Sequence, residues 1–302
     1  MLKFQPPGFG KKSVFTELGQ VVYYTQASSL WRSPSSSKQA SGQPPVMFFH
    51  NFGGGASAYE WSKVYAVLAS QYTVIAPDLI GWGASAHPPH RYTVADYLVN
   101  LESFISQTAD GPIVAVASSF TAGLVAQLAS QKPHLFSRLF LTCPSGFRDF
   151  GKGAGRRLPE PIINTPFLDT IIYTLGATSE LAVRNFLENF LFSKPERLSE
   201  EIISAYLASA QQPNAEYSAL SFLRGDLYFD LTPYLKTLKV PTAVVWGADA
   251  KFTTVSLGRR LAQLNPEAIQ RFQVVSETGV LPQLEQPGPV AALLLDWLRT
   301  QE

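Results

Sequence analysis

The chain has 302 residues, of which 46% are hydrophobic and 16% are charged. This length predicts one large α/β domain with an insertion or two ordinary domains, and the apolar content excludes disorder for most of the chain. The formal net charge of +1 comes without a basic stripe, so the composition argues against a nucleic-acid-binding function.

The single cysteine, Cys143, excludes an internal disulfide. The first eight residues contain prolines and a glycine where a signal peptide needs an apolar run, and no apolar stretch is long enough to span a bilayer. The sequence therefore predicts a cytoplasmic protein with no integral membrane segment. It leaves a peripheral membrane contact open.

Short apolar runs alternate with helical stretches, which is the pattern of a mostly parallel sheet flanked by helices. The predicted strands, in chain order, are 20–25, 46–50, 73–77, 113–117, 139–143, 242–246 and 270–275. The predicted helices of this α/β core are 59–70, 94–108, 120–131 and 290–300.

Two segments interrupt the alternation. A Ser/Pro/Gln-rich stretch at 26–45 predicts a flexible loop within the core, with Trp31 as its one large apolar residue. Residues 147–231 contain helical patches at 169–175, 179–192 and 199–209, many aromatic residues and no convincing strand. We expect a helical cap at 147–231, inserted into a core made of 1–146 and 232–302.

Three motifs lie at the carboxyl ends of predicted strands. Residues 116–123, VASSFTAG, follow a strand and open a helix, so Ser119 has the context of a nucleophile elbow. Serines at such turns are often only helix caps, but two further motifs add weight. They are HNFGGG at 50–55, which we call the oxyanion loop, and DLIGWGAS at 78–85.

Together these motifs resemble those of the α/β-hydrolase superfamily, in its capped esterase, haloperoxidase and dehalogenase-like branch. The resemblance covers roughly residues 20–298. It implies that Ser119 stands at the nucleophile position and that the backbone N–H groups of Phe52 and Phe120 form an oxyanion hole. It also implies that Asp78 structures a loop, and that Asn51, which we expect at the pocket, stands where the family usually has glycine.

The resemblance further implies where the two partners of Ser119 should be. The family's acid follows a strand ending in Trp-Gly, three residues after the glycine, and here that position holds Ala250, with Asp249 one residue early as a shifted candidate. The family's histidine lies in a G-H-x-P-x-L-E-x-P motif, and here GVLPQLEQP at 279–287 has Val280 in its place. Valine can neither accept nor donate a proton.

The four histidines offer no obvious replacement. The family pattern gives His50 a role behind the oxyanion loop, and His134 lies past the elbow helix. His87 and His90 follow the Gly81-Trp82-Gly83 turn in a Pro-rich loop, from which His87 could approach the pocket.

Loss of both partners predicts an α/β-hydrolase-fold protein that is non-catalytic or weakly active and binds a small apolar or ester-like ligand under the cap. The cap aromatics would line that pocket, or they form only the cap's own core. The alternative is an esterase-like serine hydrolase with unconventional partners such as His87 and Asp249. A scaffold protein with a vestigial pocket is a third reading.

No metal or dinucleotide cofactor is expected, because no histidines are spaced as a ligand pair and no glycine-rich phosphate loop follows the first strand. The sequence names neither the ligand nor the oligomeric state.

Overall fold

The computed structural model describes residues 1–31, 43–151 and 178–299. Its eight strands form one sheet in the order β1-β2-β4-β3-β5-β6-β7-β8. The strands are β1 (Phe9–Thr16), β2 (Gly19–Gln26), β3 (Val46–Phe49), β4 (Val74–Pro77), β5 (Ile113–Ser118), β6 (Phe136–Thr142), β7 (Thr242–Gly247) and β8 (Ile269–Val275). All neighbours from β4 to β8 are parallel, which confirms the predicted mostly parallel sheet.

The first strand was not predicted. β1 pairs antiparallel with β2 at the edge of the sheet, and only Phe9 among its residues is buried. An edge strand with two exposed lysines, Lys11 and Lys12, lacks the apolar run by which the buried strands are identified. Gln26, the first residue of the loop predicted at 26–45, is instead the last residue of β2, and its amide donates to the carbonyls of Ala69 and Tyr72. Residues 32–42 of that predicted loop lie outside the described residues.

Ten helices occur in the described ranges. They are α1 (Ser62–Leu68), α2 (Val94–Thr108), α3 (Ser119–Gln131), α4 (Glu180–Phe186), α5 (Glu200–Ala210), α6 (Ala215–Leu223), α7 (Thr232–Thr237), α8 (Val255–Ala262), α9 (Pro282–Glu285) and α10 (Pro287–Arg299). α2 has the predicted bounds because a capping box between Thr93 and Asp96 fixes its start. α6, α7, α8 and α9 were missed, since helices of four to nine residues carry little periodicity. No described helix has the length and apolarity that crossing a membrane requires.

The helices cover both faces of the sheet. Side chains of α2 and α3, such as Leu101 and Leu124, belong to one apolar cluster with alternate residues of the strands. Side chains of α1 and α10, such as Leu68 and Leu294, belong to a second cluster on the opposite face. Burial on both faces explains why the central strands are apolar throughout.

The described residues of the predicted cap, 147–151 and 178–231, are mostly helical, with one isolated bridge between Phe147 and Phe229, and we refer to them as the cap. α4 continues as a π-helical turn over Leu187–Leu191, and α5 and α6 follow. The predicted patch at 169–175 lies outside the described residues. Several serines fix the cap to the core: for example, Ser209 Oγ donates to the Ala56 carbonyl and accepts the Gly83 N–H.

Five loops meet at the carboxyl edge of the parallel strands. Phe49 of β3 pairs with Ala117 of β5, so the chains reach Asn51 and Ser119 two residues later at the same level. The loop after β7 (the acid loop, 247–251) packs on the loop after β8 (the base loop, 279–287), and Asp249 N–H donates to the Thr278 carbonyl at 2.9 Å. The sheet therefore brings the three sequence motifs, the acid loop and the base loop to one edge.

The contact between the acid loop and the base loop requires a glycine. A Cβ atom on Gly247 would lie 1.8 Å from the Gly279 carbonyl oxygen, with no flexible side chain to give way. We expect Gly247→Ala to lower the free energy of unfolding by at least about 2 kcal/mol, measured by urea denaturation. Gly111→Ala is the control, because a Cβ there would meet no atom within 4 Å and should change stability by less than about 0.5 kcal/mol. Equal stability of the two variants would contradict the close approach.

Candidate functional site

Ser119 occupies a strained turn between β5 and α3. Its φ is +52°, a left-handed conformation that a non-glycine residue adopts only under constraint, and the residue is 5% exposed. The elbow accommodates the non-glycine residues at its flanks, since Ala117 and Thr121 are both fully buried. Within the described residues, Ser119 Oγ makes no hydrogen bond, so its hydroxyl has no side-chain partner there.

The two backbone donors of the predicted oxyanion hole lie on either side of Ser119. Phe52 and Phe120 pack ring against ring, with centroids 4.9 Å apart. Neither backbone N–H donates to any described residue, and Phe120 lies in the first turn of α3, where helix N–H groups have no intrahelical acceptor. Both groups therefore remain available to an oxygen atom of a ligand.

Asn51 adopts an ordinary backbone conformation. Asn51 stands where the family usually has glycine, yet it is not among the described residues with positive φ, whereas Gly55 of the same loop is (φ +85°). The Asn51 N–H donates to Glu60 Oε2 at 2.8 Å, and its carbonyl accepts from His50 Nδ1–H at 2.6 Å. The loop thus needs no glycine at this position.

The acid loop presents alanine inward and aspartate outward. Ala250 is 8% exposed, whereas Asp249 is exposed and its Oδ2 accepts from Ser193 Oγ at 2.6 Å. Asp249 makes no hydrogen bond with a histidine in the described part of the chain. The structure therefore directs this carboxylate to the cap segment after α4.

The base loop holds Val280 in an apolar position, with the residue 2% exposed. Its N–H donates to the Leu191 carbonyl of the cap at 3.0 Å. Gly279 fits against the same segment, because a Cβ there would lie 2.2 Å from that carbonyl oxygen. The cap therefore packs directly on the loop that carries histidine in the family pattern.

All four histidines lie in described ranges, and His50 has both ring nitrogens engaged. Its Nδ1–H donates to Asn51 and its Nε2 accepts the Leu79 N–H at 2.9 Å. Burial lowers the pKa of His50 to about 4, so the ring is neutral at pH 7. This arrangement supports the oxyanion loop from behind and leaves no nitrogen for Ser119.

The other three histidines contact groups away from Ser119. His87 Nε2–H donates to the Gly83 carbonyl at 3.2 Å, and burial lowers the pKa of this side chain. His90 Nε2 pairs with Asp96 at 3.1 Å, and His134 is exposed on the turn after α3. None of the four makes a hydrogen bond with Ser119.

Asp78, interpreted from the sequence as a loop-structuring residue, is fully buried and accepts three hydrogen bonds. They come from the Ala58 N–H and the Ala84 N–H, each at 2.8 Å, and from the Tyr24 hydroxyl at 3.0 Å. Burial raises the pKa of Asp78, and these three donors oppose the rise. The carboxyl joins the loop after β4 to the turn before α1 and to β2.

Two further buried carboxyls join the cap to the site, and neither role was predicted from the sequence. Glu60 is 1% exposed and accepts from the Asn51 N–H and from the Tyr206 hydroxyl of α5 at 2.6 Å. Glu285 accepts from the Gly279 N–H of the base loop and from the Ser193 and Lys194 N–H groups of the cap. Each carboxyl thus joins a site loop to the cap.

Aromatic rings surround the candidate oxyanion hole. Phe120 contacts Phe222 and Phe229, with centroids 5.6 and 5.7 Å away, and Phe222 packs edge-on against Phe147 at 5.2 Å. A Cβ on Gly53 would lie 3.5 Å from both Leu191 Cδ1 and Phe186 Cε1, so cap side chains also cover the oxyanion loop. The backbone N–H groups of Phe52 and Phe120 are thus surrounded by aromatic and aliphatic side chains, with Ser119 and Asn51 as the polar residues beside them.

Other reactive groups do not supply an alternative centre. Cys143 follows β6, and burial raises the pKa of its thiol to about 12, so it stays protonated at neutral pH. Within residues 1–31, 43–151 and 178–299, no group of three or more histidine, cysteine, aspartate or glutamate side chains could hold a metal ion.

A family model described as the alpha/beta hydrolase family matches residues 46–293. The chain belongs to this family. It is 25% identical over 289 residues to the uncharacterized hydrolase YugF of Bacillus subtilis, covering 94% of this chain and 97% of that protein. It is also 25% identical over 266 residues to a 2-hydroxy-6-oxo-6-(2'-aminophenyl)hexa-2,4-dienoic acid hydrolase of Metapseudomonas resinovorans, covering 84% and 83% of the two chains.

The solved structures agree on the fold. The carboxylesterase CesB of Bacillus subtilis superimposes with a TM-score of 0.74 at 18% identity, over 100% of this chain and 95% of that one. At this identity the likeness concerns the fold alone, and it confirms the α/β-hydrolase fold predicted from the three motifs.

The buried Glu60 makes stability depend on pH. Burial raises the pKa of Glu60 from 4.5 to about 7, so the folded chain holds this proton more tightly than the unfolded chain. Its stabilising contribution is therefore complete below pH 4.5 and lost as the pH rises through 7. Between pH 4 and pH 9 we expect the unfolding free energy of wild type, relative to Glu60→Gln, to fall by about 3 kcal/mol.

Urea denaturation of both proteins across this range measures the effect. Glu196→Gln is the matched control, because Glu196 is exposed on the cap. A constant difference between wild type and Glu60→Gln would contradict the assigned burial of an ionisable carboxyl.

Proposed function

We propose that this α/β-hydrolase-fold protein is non-catalytic or weakly active, and that it binds a small apolar ligand under its cap. The observation that carries the proposal is that Ser119 Oγ makes no hydrogen bond within the described residues, and that none of the four histidines hydrogen-bonds to it. A serine hydroxyl is a weak nucleophile until a base within hydrogen-bond reach takes its proton.

The expected cost of the missing base is large. In serine enzymes with a triad, removal of the histidine lowers turnover by about a millionfold, and about a thousand- to ten-thousandfold acceleration over water remains from the oxyanion hole and binding. Val280 and Ala250 at the two partner positions would leave only that remainder. Such a protein could still bind a ligand in its pocket but would hydrolyse an ester only slowly.

The surroundings of Ser119 favour an apolar ligand. Phe52, Phe120 and Phe222 present aromatic surface beside two free backbone donors, and cap residues Leu191 and Phe186 close the oxyanion loop from above. Apolar side chains with a few converging polar groups are characteristic of small-molecule sites.

The second candidate is an esterase-like serine hydrolase with an unconventional base and acid. Two observations favour it: Ser119 keeps the strained elbow conformation, and its relatives are named as hydrolases. His87 Nε2 pairs with the Gly83 carbonyl, but its buried Nδ1 has no hydrogen-bond partner among the described residues, and Asp249 would have to leave Ser193 to orient that ring.

Restoration of the two partners separates these candidates. We expect Val280→His alone to raise hydrolysis of p-nitrophenyl butyrate little, and Val280→His with Ala250→Asp to raise it by at least about a hundredfold, because a histidine base needs an orienting carboxylate. Addition of Ser119→Ala to the double variant should abolish the gain, and circular dichroism checks that each variant folds.

Wild-type turnover equal to that of the double variant and lost in Ser119→Ala would overturn the binding-protein proposal. It would instead support a hydrolase with unconventional partners.

A further inference from the structure

Asn51 carries a buried polar group that the fold itself does not use. The residue is 5% exposed, and its side-chain carboxamide makes no hydrogen bond within the described ranges. The amide atoms do not belong to the fully buried atoms that lack a partner, so the small exposed remainder of the residue includes this carboxamide. A ligand can therefore reach it and supply a hydrogen-bond partner.

The direction of this amide is fixed by its own backbone. Glu60 accepts the Asn51 N–H and His50 donates to the Asn51 carbonyl, so the residue is held on both sides. A Cβ on Gly53 would lie 3.4 Å from Asn51 Nδ2 and 3.5 Å from Leu191 Cδ1 and Phe186 Cε1. The amide therefore lies under the cap, among apolar side chains.

The register of the sheet brings this amide to Ser119. Phe49 pairs with Ala117, and Asn51 and Ser119 each follow two residues later on strands that lie about 4.8 Å apart. The two segments that meet at this edge carry four donors without a partner among the described residues: the Asn51 amide, the Ser119 hydroxyl and the N–H groups of Phe52 and Phe120. They lie at the N-terminal end of the 13-residue helix α3, where partial positive charge accumulates.

Within residues 1–31, 43–151 and 178–299, no carboxylate accepts a hydrogen bond from the Ser119 hydroxyl, the Asn51 amide or the Phe52 and Phe120 N–H groups. Asp249 faces Ser193, and both Glu60 oxygens are occupied on the far side of the Asn51 backbone. An ester or ketone carbonyl has one oxygen and would use the two backbone donors. A carboxylate has two oxygens and can accept from all four groups.

We propose that Asn51 is a specificity-determining residue that, with the two oxyanion-hole N–H groups, binds the carboxylate of an apolar monocarboxylic acid. The proposal rests on the binding function proposed above and adds the chemical class of the ligand. Glycine at this position would leave the carboxylate with two backbone donors and the serine. Asparagine supplies the additional donor that distinguishes an acid from its ester.

The test compares three probes of one chain length, namely decanoate, methyl decanoate and decanol, at pH 8 by isothermal titration calorimetry. We expect wild type to bind decanoate at least about tenfold more tightly than methyl decanoate. Asn51→Asp keeps the shape of the side chain but places a second negative charge against the ligand, and Asn51→Ala removes the donor. Both should abolish the preference for decanoate and leave decanol binding within about threefold of wild type.

Asn189→Asp is the matched control, because the Asn189 amide is exposed on the cap, where it donates to the Asn185 carbonyl. This variant should bind all three probes as wild type does. Thermal unfolding of each variant establishes that the pocket is folded.

Equal binding of the three probes by wild type, unchanged in Asn51→Asp, would overturn the role of Asn51 and leave the binding function intact. Binding of none of the probes, or repeated turnover of methyl decanoate, would overturn the proposed function itself.

Discussion

The parallel pairing of β3 with β5 is the constraint on which the site depends. It sets Asn51 beside Ser119 and Phe52 beside Phe120, so the oxyanion loop and the elbow meet with their backbone donors free. The strained φ of Ser119 is retained because β5 and α3 are buried on both sides and leave the turn no alternative path. Elbow geometry is thus a property of the packed sheet, and it persists whatever residues stand on the acid and base loops.

Buried carboxyls hold the cap over this edge. Glu60 connects the oxyanion loop to Tyr206, and Glu285 connects the base loop to Ser193 and Lys194. Both residues are removed from water, and burial raises the pKa of each while hydrogen bonds to backbone N–H groups oppose the rise. Such contacts favour one closed arrangement of cap and core, which suits retention of a ligand.

Much of the fold could be predicted because buried parallel strands leave continuous apolar runs, and the elbow and oxyanion motifs are local in sequence. β1 was missed because an edge strand buries little. The role of Glu60 could not be found, since its partner Tyr206 is 146 residues away. Asn51 was expected at the pocket, but the sequence could not show that its amide lacks a partner among the described residues, because that depends on cap residues such as Leu191 and Phe186 that only the folded chain brings near.

The most direct test of the central claim is the pH dependence of Ser119 phosphonylation by a fluorophosphonate probe, with Ser119→Ala as the unreactive control. Without a side-chain base, the second-order rate constant should rise about tenfold per pH unit from pH 6 to pH 9, since hydroxide alone removes the proton. A rate constant that levels off above a pKa near 7 would identify a titrating base at Ser119 and contradict the account.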